Sequence, residues 1–223
     1  MTRETMLGAI RRGLRRGPLP ADQAAMLRGR LASHPRQLIP ARSRIPHPEQ
    51  IDLFVRNVER EFGSIARVPD AGAVPEAVAD YLAAQNLPTS LVMAPHPELQ
   101  GIPWSTRPLL TIREGRAEAS DLVSVQHAFA GIAETGTLML PSAAERPATL
   151  NLLSDTEIAV LRASRLVGAY EDAWDLLRAE RDGMPRNVML VTGPSRSADI
   201  EQALELGAHG PRRLHVVLIE DHL

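Results

Sequence analysis

Residues 187–211 read NVMLVTGPSRSADIEQALELGAHGP. An apolar, β-favouring run from Val188 to Val191 stops at Thr192-Gly193-Pro194. Beyond it Ile200, Ala203, Leu204 and Gly207 recur at three- and four-residue spacing, which predicts a helix over 197–206. The stretch therefore reads as a buried strand, a tight turn and a helix, the unit from which parallel α/β sheets are built. Asp199 falls in the first turn of the predicted helix. Free N–H groups, the Ser195 and Ser197 hydroxyls and the Arg196 guanidinium would converge there, as they do where a helix start holds an anion. The alternative is a capped strand-to-helix joint with no ligand, because Ser and Asp favour helix starts on structural grounds alone. The turn also lacks the fixed spacing of the named phosphate loops.

Working outward, the same alternation fills the chain from residue 49 onward. Apolar runs at 64–68, 91–94, 109–112, 122–125, 138–140, 157–161, 188–191 and 214–219 read as strands. Helical spacing marks 51–62, ending at Gly63, then 74–85 with Pro75 in its first turn. A long helix is predicted over 166–181, with Leu166, Tyr170, Ala173, Trp174 and Leu177 on one face. Residues 128–134 read as a short helix or turn. Short apolar strands alternating with helices predict an α/β domain over 49–223, with a mostly parallel sheet flanked by helices. Residues 1–48 read as a helical and Pro-rich extension. Met6, Leu7, Ile10 and Leu14 form one stripe of a helix over 2–17 and arginines cover its other faces. Residues 21–32 suit a short second helix. Six prolines between 18 and 48 oppose anything longer. Such an arm suits packing on a neighbouring subunit, hence a homo-oligomer, or on its own domain.

The residues that are absent exclude whole reaction classes. None of the 25 basic residues is lysine, so there is no Schiff-base chemistry, no Lys-anchored pyridoxal phosphate and no Walker-type loop. The cysteine count is zero, so this chain has no thiol nucleophile and no Cys-ligated iron–sulfur cluster. No G-x-G-x-x-G follows a candidate strand, which leaves no nicotinamide or flavin motif. The histidines show no metal-ligand spacing, so no metal site is expected. A net charge of −2 gives no global case for nucleic acid. No apolar run approaches the length of a membrane span or a signal peptide, so a cytoplasmic protein is expected.

A second motif stands at 131–140, GIAETGTLML. It sets Glu134 and the hydroxyls of Thr135 and Thr137 around Gly136, just before a strand. A carboxylate beside a glycine is open to close approach by a ligand, which suits acid/base or nucleophilic work. A structural Glu bonded to turn N–H groups is the alternative. Arg196 reads either as a bidentate clamp for an anion or as the partner of Asp199 or Glu201. His209 reads as a proton carrier or as part of an ordinary helix-ending turn in GAHGP. His127 has little beyond its nearness to the Glu134 motif. Trp104 and Trp174 read as packing residues.

Together, IAETGTL, TGPSRSADIE…LGAHGP and the closing HGPRRLHVVLIE resemble the LUD-domain family, of the lactate utilization protein C type. The likeness is dense from about Asp121 to Ile219 and thinner from about Glu49 to Ser120. It implies the fold shared by ribose-phosphate isomerases, CoA transferases and the cyclo-ligases acting on formyl-tetrahydrofolate. It implies a role in oxidising L-lactate to pyruvate together with iron–sulfur proteins. A chain without cysteine would then be an accessory or ligand-binding subunit, with the iron–sulfur clusters in its partners and no cofactor of its own. The resemblance also implies one pocket for a small anion. Its candidates are Glu134 and His209 for chemistry, and Thr135, Gly136, Thr137, Gly193, Pro194, Ser195, Arg196 and Asp199 for binding. Two alternatives stand beside this reading. One is a stand-alone isomerase or transferase acting on a sugar phosphate, acyl-CoA or folate-like anion through Glu134. The other is a non-catalytic ligand sensor.

Overall fold

The computed structural model describes residues 2–15, 17–198 and 204–221. It divides into two units, Met1–Leu38 and Ile39–Leu223. The first holds α1 (Arg3–Gly13) and α2 (Ala21–Ser33), and neither helix contains a buried residue. The second unit runs α3 (His47–Arg60), β1 (Ser64–Val68), α4 (Val74–Ala84), β2 (Ser90–Met93), α5 (Pro97–Gln100), β3 (Thr111–Glu114), β4 (Val123–His127) and β5 (Ala130–Ile132). It continues with β6 (Thr137–Pro141), β7 (Thr156–Arg162), β8 (Leu166–Val167), α6 (Tyr170–Glu180), β9 (Val188–Thr192), β10 (Arg196–Ala198), β11 (Leu204–Leu206) and β12 (Arg213–Ile219).

Six strands form one sheet in the order β1-β12-β7-β4-β2-β3, and every neighbouring pair is parallel. The centre of this sheet is covered on both sides, which is why β7 reads TEIAVLR as a nearly continuous apolar run rather than an alternation. On one face Val74, Val78 and Leu82 of α4 pack on Val123, Val125, Ile158, Val217 and Ile219. On the other, Ile51, Phe54 and Val58 repeat along α3 at helical spacing and meet Ala159, Leu161, Val216 and Leu218. A second sheet, β8-β5-β6-β9, lies on that side. Its Leu138 and Leu140 join the α3 core, and its Ile132 and Met139 turn to Ala173 and Leu177 of α6.

Three predicted elements differ. Residues 130–132 are a strand, because Ala130–Ile132 pairs antiparallel with β6 and parallel with β8. The helix expected over 166–181 begins only at Tyr170. Leu166 and Val167 are taken into the small sheet, and Asp172 Oδ2 caps the late start by accepting from the Ala169 N–H at 3.1 Å. The helix expected over 197–206 is replaced at both ends by an antiparallel pair, with Arg196 opposite Leu206 and Ala198 opposite Leu204. The Ser195 N–H donates to Pro211 O at 2.7 Å and the Gly207 N–H to Ser195 O at 3.0 Å. These bonds tie the two ends of the segment together as strands. Residues 199–203, Asp199 among them, lie outside the described residues.

Candidate functional site

The two glycine motifs do meet. Strands β6 and β9 pair antiparallel with Thr137 opposite Thr192, so the 134–137 turn and the 193–196 turn share one end of the small sheet. Thr137 Oγ1 lies 2.6 Å from Thr192 Oγ1, 2.7 Å from Thr135 Oγ1 and 2.9 Å from the Tyr170 hydroxyl. What fills the space beside the glycines is the end of α3. Gly136 has φ +69°, and a Cβ there would sit 2.6 Å from the Val58 nitrogen. Gly193 has φ +68°, and a Cβ there would overlap the Glu61 carbonyl oxygen. Asn57 Nδ2 donates to Ala133 O at 2.7 Å and to Glu134 O at 3.1 Å, fixing the motif to α3. Both glycines thus admit a helix end.

The side chains at these turns are engaged locally. The Glu134 carboxylate accepts from Arg42 at 2.7 Å and its side chain is 9% exposed. The Arg196 guanidinium stacks 3.7 Å over the Phe62 ring. Ser195 Oγ accepts from the His209 backbone N–H at 3.2 Å, while His209 itself is exposed. Thr192 ends a strand of the small sheet, outside the six-stranded parallel sheet. The residues after Pro194 enter a strand rather than a helix, so the turn lacks the aligned N–H groups of a helix start.

A different constellation occupies the position where open parallel sheets place their chemistry, beyond the carboxyl ends of the strands. There β2 leads to His96 and Glu98, β4 ends at His127, β7 ends at Arg162 and β12 leads to Asp221. The His96 and His127 rings stack with centroids 3.9 Å apart and planes 6° from parallel. Arg146 reaches both: its Nη2 is 2.8 Å from His96 Nε2 and 3.1 Å from His127 Nδ1. All three residues are buried. Arginine only donates, so His127 accepts at Nδ1 and carries its proton on Nε2, which faces Glu98 Oε1 at 3.4 Å. The Glu98 N–H also lies 3.3 Å from His96 Nδ1, and a neutral ring accepts at only one nitrogen, so His96 accepts from Arg146 or from Glu98 but not from both. Burial, the neighbouring His127 and Arg146 push His96 down to about 4. Burial also lowers His127 against the pull of Glu98, so both rings are neutral at pH 7. The contact with His127, then Arg162, holds Glu98 down at about 2.

Two further cations beside this core, Arg162 and Arg165, are neutralised. Arg162 pairs with Glu98 and, at 3.5 Å, with Asp221, which also accepts from the Ser164 N–H and hydroxyl. Arg165 lies 4.5 Å over the Phe129 ring and holds both oxygens of Glu180, at 2.6 and 3.0 Å. Phe129, Glu145, Arg146, Glu180, Arg181, Asp182 and Gly183 line an open cleft of about 490 Å³. Among the described residues no group of three His, Asp or Glu side chains could hold a metal ion. The sequence carried one usable sign of this site: His96 and His127 each stand two residues past a predicted strand, which in a parallel sheet puts them on one edge. No spacing points to Arg146, which comes from the loop after β6.

At the opposite end of β7 lies a buried polar network. Glu157 is fully buried and accepts from Asn151 Nδ2 at 2.5 Å, and Gln126 Nε2 donates to Asn151 Oδ1 at 3.0 Å. Glu157 Oε2 and Gln126 Oε1 have no protein partner. Burial pushes Glu157 up to about 8, so it is protonated at neutral pH.

The LUD domain profile matches residues 51–219. An uncharacterized protein of Neisseria meningitidis is 42% identical over 94 residues, covering 42% of this chain and 40% of that protein. Lactate utilization protein C of Bacillus licheniformis is 35% identical over 109 residues, covering 48% and 45%. The corresponding Bacillus subtilis protein is 37% identical over 93 residues, covering 40% and 39%. The chain thus matches less than half the length of these curated relatives. A DUF162 family protein from Deinococcus radiodurans has the same fold, with a TM-score of 0.59 and 22% identity over 79% of this chain and 99% of that one.

Proposed function

Since the chain belongs to the LUD domain family, we propose that it serves in L-lactate utilization as an accessory, ligand-binding component. The observation that carries this reading is the similarity to proteins named lactate utilization protein C. The division of labour follows from composition. Oxidising a hydroxy acid to a keto acid moves two electrons, and a chain without cysteine cannot ligate iron–sulfur clusters through thiolates. Iron–sulfur partner proteins would hold those centres. The arm is suited to docking. None of the residues of α1 or α2 is buried, although Met6, Ile10 and Leu31 are large and apolar. Residues 1–38 carry eight arginines against two acidic residues, in a chain of net charge −2, so the remainder is strongly acidic. A basic apolar arm then complements the body of a second copy.

The isomerase or transferase alternative is less well supported, because its proposed nucleophile, Glu134, is paired with Arg42. The expected result is that deleting the gene, in a strain lacking other lactate dehydrogenases, abolishes growth on L-lactate. The purified chain alone should reduce no dye with lactate, whereas a mixture with the products of its genomic neighbours should. Normal growth of the deletion strain would remove the lactate assignment. Dye reduction by this chain alone would remove the accessory role.

A further inference from the structure

We propose that the cleft over Phe129 binds a small, singly charged carboxylate between Arg146 and Arg181. The proposal rests on the ligand-binding role above, and it moves that role away from the glycine turns to the carboxyl edge of the parallel sheet.

The first support is a buried cation without a close counter-ion. The Arg146 side chain is 9% exposed, and its partners on the inner side are two neutral imidazoles. The carboxylate nearest to it in charge contact is that of Glu145, 3.7 Å from Nη1 and itself 38% exposed. A guanidinium removed from water normally gains a close, hydrogen-bonded anion in return. The second support is the like charge beside it. Burial, then the positive charge of Arg181, brings Arg146 down to about 10. An anion seated between the two guanidiniums would relieve that repulsion, and Arg181 makes no salt bridge of its own among the described residues.

The charges also select the ligand. Arg162 is matched by Glu98 and Asp221, and Arg165 by Glu180. Two cations remain for a ligand, and Glu145, Glu180 and Asp182 rim the same cleft. That rim disfavours a dianion such as a phosphate monoester and tolerates a monoanion. A planar carboxylate matches the guanidinium fork. The Phe129 ring is buried beneath Arg146 and Arg165, 5.9 and 4.5 Å from its centroid, and so forms the apolar floor of the cleft, leaving room above it for no more than a short aliphatic tail. The His96–His127 pair holds Arg146 from behind through acceptor nitrogens, which makes both histidines positioning residues.

The test is calorimetry on the full-length chain with acetate, pyruvate and inorganic phosphate as probes. Acetate and pyruvate should bind, and phosphate should bind more weakly than either. Arg181→Gln, at a partly buried position, should weaken both carboxylates about tenfold, the loss of one charge-assisted hydrogen bond. Arg146→Gln should abolish binding, with circular dichroism reporting whether the fold is kept. Unchanged affinity in Arg181→Gln, tighter phosphate binding, or no carboxylate binding at all would overturn the proposal. Carboxylate binding lost in Arg181→Gln, combined with normal lactate growth of the deletion strain, would uphold the site and defeat the lactate reading. Growth lost without any carboxylate binding would do the reverse.

Discussion

Gly193→Ala is expected to destabilise the chain by roughly 2–5 kcal/mol, combining left-handed strain with overpacking. Gly193 has φ +68°, where a side chain is strained whatever the space around it. The added methyl would also run into the Glu61 carbonyl oxygen, which is backbone and cannot rotate away. The end of α3 has little freedom to retreat. Asn57 is bonded to Ala133 O and Glu134 O, and Gly136 packs on Val58 N. Gly183→Ala is the control. It meets nothing within 4 Å and has no left-handed φ, so it should change stability by less than about 0.5 kcal/mol. Urea denaturation of both variants decides between two roles for the motif. If Gly193→Ala keeps wild-type stability, the packing role assigned to the glycine is wrong.

Stability should peak near about pH 6.5 and fall on both sides. On the acid side, His96 and His215 titrate near 4 in the folded chain, against an ordinary value of 6.5, and His127 is also lowered. Their folded forms take up protons later than the unfolded chain does. The stability they confer is complete above 6.5 and is lost as pH falls toward 4. Glu157 has the opposite sign. Its folded value is raised from 4.5 to about 8 by burial. The stability it confers is present below 4.5 and is lost as pH rises toward 8. Between 4.5 and 6.5 three histidines outweigh one carboxyl, so the net slope is upward, and above 6.5 only Glu157 titrates among these groups. Over the 1.5 units from the peak to pH 8 that loss is bounded above at roughly 2 kcal/mol. Glu157→Gln keeps the shape and the Asn151 contact but cannot ionise, so thermal unfolding from pH 6.5 to 9 should become flat. If the variant declines with pH as steeply as the parent, Glu157 is not the group responsible.

Much of the fold was legible. Helix α3, strand β1 and strand β7 appear where apolar spacing and length place them, because each carries a full pattern and packs as that pattern demands. What misled the reading was context. Leu204 and Leu206 alternate as well as they repeat helically, and the contacts of Ser195 with Gly207 and Pro211, invisible in a single chain, decide for strands. Leu166 and Val167 suit a helix start until β5 takes them as sheet neighbours. The glycine motifs drew attention because they are unusual, and their turns lie together at one end of the small sheet. Their unusual character comes from close packing on α3, which a ligand-approach argument cannot distinguish from a binding turn. The histidine–arginine cluster was missed for a topological reason. Residues 96, 127, 146 and 162 become neighbours only when the strand order β12-β7-β4-β2 is known.

Where a carboxylate perturbs the chain is the most direct test, because it sets the carboxyl edge of the parallel sheet against the glycine turns in one titration. Acetate should be added to isotopically labelled protein at pH 7 while amide and side-chain resonances are followed. The expected shifts centre on His96, His127, Phe129, Arg146 and Arg181, with Gly136, Gly193 and Arg196 unmoved. Shifts centred on Glu134 to Thr137 and Gly193 to Arg196, with the histidine rings silent, would contradict the account.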